Sequence, residues 1–235
     1  IGTSIVADAY EEPNVDKVLD SAERMVFELG QRRDARELTH IRDIVTHSFN
    51  QIEERYNNKD ELLGVASGYY DLDSMTAGFQ KSDLIILAAR PSMGKTAFCL
   101  NIAAEVAIRG QTPVALFSLE MSKEQLVQRL LCAEAEIDAQ RIRTGHMQMD
   151  DWTKLSTAMA KLAPAPIYID DTPAISAMEI RSKARKLKYE YPNLGMIIID
   201  YLQLMEGDSK SRGDRVQEIS AISRGLKGLA REINV

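Results

Sequence analysis

The sequence predicts an α/β domain with a mostly parallel sheet, preceded by two α-helices. Three observations carry that expectation. From about Leu62 onward, short apolar runs alternate with helical stretches, the pattern of strand–helix–strand units. The first run, Leu84-Ile85-Ile86-Leu87-Ala88, is apolar throughout rather than alternating, as in strands covered on both faces. After five intervening residues stands a Gly-Lys-Thr sequence that opens a helix.

The elements follow in order. Pro13-Asn14 opens a first helical pattern, with Val15, Val18, Leu19, Ala22, Met25, Val26 and Leu29 on one stripe, ending near Gly30. Gln31 to Arg36 is a charged break. A second helix places Ile41, Ile44, Val45, Phe49, Ile52 and Tyr56 on one face, and Asn57-Asn58-Lys59-Asp60 ends it. Two such helices are too small for a core of their own. Their stripes must pack on the downstream domain, on upstream sequence, or on another copy of the chain.

Within the domain, the strand at Leu84–Ala88 leads to a helix starting near Lys95. Val114 to Phe117 is the second strand, and Ser122 with Gln125 forms a capping box for the helix after it. Ile167 to Ile169 is the third strand, and Ser176 with Glu179 caps the next helix in the same way. Met196 to Ile199 is the fourth strand, and Val216 to Ile233 reads as a long helix. There is no internal repeat and no low-complexity segment.

Composition sets the outer limits. The 235 residues suffice for one sizeable α/β domain with a small appendage. Hydrophobic residues at 45% and charged residues at 27% are ordinary for a soluble globular chain. A net charge of −6 gives no global basic field, so a nucleic-acid partner must be held by a local patch or by several chains together. No apolar run reaches the roughly 20 residues of a membrane span. Residues 1–10 lack the basic and apolar regions of a signal peptide, and the absence of an initial Met suggests a processed or truncated start. Cys99 and Cys132 are expected to be reduced thiols of a cytosolic protein.

Ala89-Arg90-Pro91-Ser92-Met93-Gly94-Lys95-Thr96 matches the phosphate-loop pattern G-x-x-x-x-G-K-[ST] in all but its first position. Gly94 permits the tight turn that aims successive N–H groups at phosphate oxygens, and the helix N-terminus adds its positive end. Lys95 can reach the β- and γ-phosphates of a nucleoside triphosphate, and the Thr96 hydroxyl can ligate Mg²⁺. Ser92, Met93 and Ala97 complete the binding loop. Ala89 replaces the first glycine of the pattern, which costs backbone freedom but no ligand group, and Pro91 stiffens the turn.

Phosphoryl transfer also needs carboxylates at the C-terminal edge of the sheet. Asp200 follows four apolar strand residues and is placed to hold Mg²⁺ through water. Glu120, just past the second strand, is the candidate general base. Asp170 and Asp171 also end a strand and compete for these roles. Met205 to Gly213 is a polar segment with Lys210, Arg212 and, just beyond, Arg215, suited to nucleic-acid phosphates. Glu206, Asp208 and Asp214 dilute its charge, and no aromatic residue interleaves it for base stacking.

Five strings in order carry a family resemblance: G-Y-Y-D-L-D-S-M-T-A-G-F (68–79), A-A-R-P-S-M-G-K-T-A-F (88–98), F-S-L-E-M-S (117–122), I-I-I-D-Y-L-Q-L-M (197–205) and E-I-S-A-I-S-R-G-L-K-G-L-A-R-E (218–232). They resemble the bacterial replicative DNA helicases of the DnaB family. The resemblance implies a RecA-like ATPase core over 62–235, the end of an N-terminal helical domain over 1–36, and a linker helix over 37–61 that docks on a neighbouring subunit of a homo-hexamer. It implies ATP and Mg²⁺ as cofactors, Lys95 and Thr96 as their ligands, Glu120 as catalytic glutamate, Asp200 as the metal-side aspartate, and Arg129 near the nucleotide base. It implies single-stranded DNA, a primase and a helicase loader as partners, in the cytoplasm. The family's γ-phosphate-sensing glutamine and arginine finger would lie past Val235. A RecA-fold ATPase with another client, and an inactive assembly fragment, are the competing expectations.

Overall fold

The computed structural model describes residues 5, 9–10, 18–19, 21–23, 40–57, 62–206 and 215–235. The chain divides into two units, Ile1–Glu61 and Leu62–Val235. In the first unit, residues 18–19 and 21–23 are helical; the rest of the expected first helix lies outside the described residues. Helix α1 (Ile41–Asn57) forms as its three-and-four spacing predicts. Its apolar stripe of Ile41, Ile44, Val45, Phe49, Ile52 and Tyr56 is exposed.

The second unit opens with a strap around the short helix α2 (Tyr70–Thr76). Val65 and Phe79 pair across an antiparallel bridge. Gly64 and Gly78 lie so close there that a Cβ on Gly64 would stand 2.4 Å from the Phe79 carbonyl oxygen. Asp73, buried, accepts from the Ser67 and Gly68 N–H groups at 2.8 and 3.2 Å and fixes the strap to its own helix. Tyr69 stacks on Phe98 with ring centroids 4.7 Å apart, and its hydroxyl accepts from Asn101. The strap thereby braces helix α3 (Lys95–Ala104), which continues as a π-helical turn over Glu105–Arg109.

Three parallel strands follow: β1 (Val114–Ser118), β2 (Ile167–Asp170) and β3 (Met196–Asp200), in the order β2-β1-β3. Register pairs Phe117 with Asp170 on one side, and Ser118 with Asp200 on the other. The strand ends that carry carboxylates are therefore neighbours. Alternate side chains of β1 point to opposite faces. Ala115 and Phe117 pack with α7 (Ala177–Glu190) and α8 (Arg215–Ile233), through Ile180, Ala184, Ile222, Leu226 and Leu229. Val114 and Leu116 pack with α3 and with α4 (Lys123–Ala135), through Ile102, Val106, Leu126 and Leu130. Helices α5 (Ala139–Thr144) and α6 (Met149–Leu162) extend the α4 side, where Ala135, Ile137 and Ala158 form a smaller core.

One expected strand does not form. Leu84–Ala88 takes no place in a ladder among the described residues, and Ile85, Ile86 and Leu87 are 55%, 69% and 42% exposed. Apolarity signals burial, but a strand also needs a backbone partner. Only Leu84 of this run packs against the core, and the free edge of β3 stays unpaired by it.

Two polar ties fasten α8. Glu232 accepts from Arg181 and Arg185 of α7. At its other side, Lys227 donates to the Ser82 carbonyl at 2.8 Å and pairs with Asp83, while Ser82 donates to Asn234 at 3.0 Å. Burial alone would raise the Glu232 carboxyl, but the hydrogen bonds from Arg185 and Arg181 outweigh it and hold it below its ordinary 4.5. A carboxyl lowered on folding contributes stability above its unfolded value that is lost as pH falls through the lowered one. Glu232→Gln is accordingly expected to lower thermal stability at neutral pH by about 1–2 kcal/mol, a few degrees in Tm, and to lose that difference in acid. Thermal unfolding of both chains between pH 7 and pH 3 checks it.

Candidate nucleotide site

The site is built where three chain segments meet at the C-terminal ends of β1 and β3. The phosphate loop reaches it through two left-handed residues, Ser92 at φ 64° and Gly94 at φ 85°. Gly94 is the N-cap of α3, and the space where a Cβ would stand is open, so its glycine is required by conformation and not by crowding. Loop residues Ser92, Met93 and Gly94 are exposed, as is Ala97 in the first turn. Within the loop Met93 N–H bonds to the Arg90 carbonyl, and Phe98 N–H to that of Gly94. The first-turn N–H groups of α3 have no intrahelical acceptor and present positive charge at the loop.

Asp200 is the hub. Its side chain is buried, at 5% exposure for the residue. One carboxylate oxygen accepts from the Thr96 hydroxyl at 2.6 Å, and the other lies 3.3 Å from the Lys95 ammonium. The same ammonium stands 4.2 Å above the Tyr201 ring. A hydroxyl and a carboxylate side by side are hard oxygen donors, the kind Mg²⁺ takes. Among the described residues no group of three His, Cys, Asp or Glu side chains gathers to hold a metal alone.

Glu120 projects from the turn after β1, exposed, at the same sheet edge. The turn is held on both sides of it: Leu119 N–H donates to the Asp200 carbonyl at 2.7 Å, and Met121 N–H donates to the Ser118 hydroxyl at 3.1 Å. The competing carboxylates are otherwise engaged. Asp170 bonds Lys183 and the Thr172 N–H; burial would raise its carboxyl, but these bonds hold it low. Asp171 accepts the Lys123 N–H at 3.1 Å, at the start of α4, a favourable place for a negative charge. Both carboxylates are thus held in contacts within the domain.

The other expected site residues are spread out. Arg129 lies exposed on α4. Arg215 begins α8 and donates to Glu218 and to the Gln203 carbonyl. Lys210 and Arg212 lie outside the described residues. Cys99, on α3, has its thiol pushed up by burial and by the nearby charge of Asp200. Both cysteines are free thiols. Sequence reasoning missed Tyr201 and Ser118, whose only signals are adjacency to Asp200 and a polar residue closing a buried strand.

Fold and site together define a phosphate-loop nucleotide-binding α/β domain of RecA type. The chain belongs to the DnaB helicase family: residues 64–235 match the family model for the DnaB-like helicase C terminal domain. It is 52% identical over 234 residues to the replicative DNA helicase DnaB of Geobacillus stearothermophilus, covering 99% of this chain and 51% of that protein. Identity to the replicative DNA helicase DnaC of Bacillus subtilis is 50% over 234 residues, with the same coverage. The chain spans about half the length of each of these two relatives. Among solved structures it is similar to one described as an ATPase domain, with TM-score 0.78, 37% identity, and coverage of 85% of this chain and 69% of that one. A DnaB-like replicative helicase described with its interactions with primase superposes with TM-score 0.82 at 35% identity, over 99% of this chain and 54% of that one.

Proposed function

We propose that this chain is the motor portion of an ATP-dependent replicative DNA helicase, coupling ATP hydrolysis to translocation on single-stranded DNA and to unwinding at the replication fork. The observation that carries the reading is the convergence of Lys95 and Thr96 on one buried carboxylate, Asp200, beside an open phosphate loop. Thr96 and Asp200 are the residues to hold Mg²⁺, Asp200 through water, and a bound Mg²⁺ would offset phosphate charge. Ser92, Met93, Gly94, Lys95, Thr96 and Ala97 cradle the phosphates of ATP with backbone N–H groups and the lysine ammonium. Arg129 lies beside the base, by analogy with the family. Glu120 orients the attacking water and takes its proton on a carboxylate oxygen.

The same reading makes α1 the contact between subunits of a homo-hexamer. Its exposed apolar stripe supports this, because a face of that width is covered in a working assembly. Primase and a helicase loader are the protein partners proposed with it, in the cytoplasm. Among the described residues no helix is long and apolar enough to cross a membrane.

Single-stranded DNA is proposed to run along Lys210, Arg212 and Arg215. Arg215 must exchange Glu218 and the Gln203 carbonyl for phosphate. In the full-length protein, replacing Arg212 and Arg215 by Ala is expected to weaken single-strand binding and to flatten its salt dependence by about 1.4 in log–log slope. Binding with an unchanged slope removes the segment from the DNA path. ATP hydrolysis with and without single-stranded DNA tests the whole reading. Turnover indifferent to DNA favours an ATPase with another client, and no turnover at all favours an assembly role.

A further inference from the structure

The amides around Glu120 are held one by one. Leu119 N–H goes to the Asp200 carbonyl, Met121 N–H to the Ser118 hydroxyl, Ser122 N–H to the Gln125 side chain, and Lys123 N–H to Asp171. Three of these acceptors lie on other elements or in the capping box of α4. Ser118 is different, because it is the last residue of β1 itself and is 2% exposed. Its hydroxyl accepts from Met121 N–H at 3.1 Å and donates to the Met121 carbonyl at 2.7 Å. One side chain thus closes the turn of which Glu120 is the tip.

We propose that Ser118 is a positioning residue for Glu120: its hydroxyl sets the direction in which the 118–121 turn presents that carboxylate to the Asp200 edge. The inference rests on the reading of Glu120 as general base. The Glu120 side chain is exposed and its aim is inherited from the backbone. That backbone has two anchors, the Asp200 carbonyl before Glu120 and the Ser118 hydroxyl after it. Without the hydroxyl, the Met121 amide and carbonyl both lose their partner, and the Leu119 bond to the Asp200 carbonyl is the anchor left within the 118–121 turn. A swing of about 1 Å at a proton-accepting group is enough to cost around 100-fold in rate.

The test is a double-mutant cycle in the full-length protein, with Ser118→Ala, Glu120→Gln and the pair, read by single-turnover ATP hydrolysis and by the Kd of a fluorescent ATP analogue. Ser118→Ala is expected to slow hydrolysis by about 10–100-fold while Kd moves less than about two-fold. On the Glu120→Gln background it is expected to change nothing further, because the group it positions is already disabled. An equal loss in both backgrounds, or hydrolysis by Ser118→Ala within two-fold of the parent, overturns the proposal while leaving Glu120 in its role. Full turnover by Glu120→Gln overturns the role of Glu120 and the proposal with it. If the alanine chain does not fold, Ser118→Cys, close in volume and weaker in hydrogen bonding, is read by the same criteria.

Discussion

Replacing Lys95 by alanine is expected to abolish ATP turnover and to weaken nucleotide binding by about 10–100-fold. The binding figure follows from losing hydrogen bonds between a cation and phosphate, each worth about 1.5–3 kcal/mol. The loss in rate is larger, about 100-fold or more, because the ammonium also offsets charge that grows as the phosphoryl group transfers. The fold should survive. Lys95 is partly exposed, and Asp200 keeps the Thr96 hydroxyl at 2.6 Å when its ion partner goes. Circular dichroism and thermal unfolding of the variant separate a disabled site from a disordered one. Hydrolysis by a folded Lys95→Ala chain at more than a few per cent of the parent rate would remove the loop from the chemistry.

Glu120→Gln is expected to behave oppositely in its two readouts. Nucleotide affinity stays within about two-fold, since the cradle for the phosphates is built from other residues, whereas hydrolysis falls by about 10²–10⁴-fold as the proton acceptor is lost. The exchange keeps volume and removes charge, so packing is not at issue at an exposed position. The comparison with Asp170→Asn is instructive. That carboxylate is engaged by Lys183 and Thr172, so its loss should appear in stability and not in the rate of the chemical step. If the aspartate variant loses hydrolysis and the glutamate variant keeps it, the two roles have been assigned the wrong way round.

Much of the site was legible because its chemistry is local in sequence. The Gly94-Lys95-Thr96 turn, Asp200 after four apolar strand residues, and both capping boxes are short patterns with a direct physical cause. Ser122 with Gln125 and Ser176 with Glu179 form as expected. What was not legible depends on partners distant in the chain. Leu84–Ala88 has the composition of a buried strand, but composition carries no information on whether a neighbour supplies the ladder. Helix α5 buries none of its residues and leaves no stripe to detect. Nothing in the sequence shows that Lys183 and the Lys123 amide meet Asp170 and Asp171, since those contacts form only in three dimensions. The contribution of Ser118 exists only in three dimensions, where a strand-end hydroxyl meets a backbone three residues on.

Helix α8 joins two places that are far apart in the chain. At 19 residues it is about 28 Å long. Its first residue, Arg215, adjoins the basic segment, and near its far end Lys227 grips residues 82–83, at the entrance to the phosphate loop. Two arginines of α7 hold the same far end through Glu232. One continuous element therefore runs from the residue that follows the basic segment to Ser82 and Asp83, and the loop that holds Lys95 begins only a few residues further along the chain.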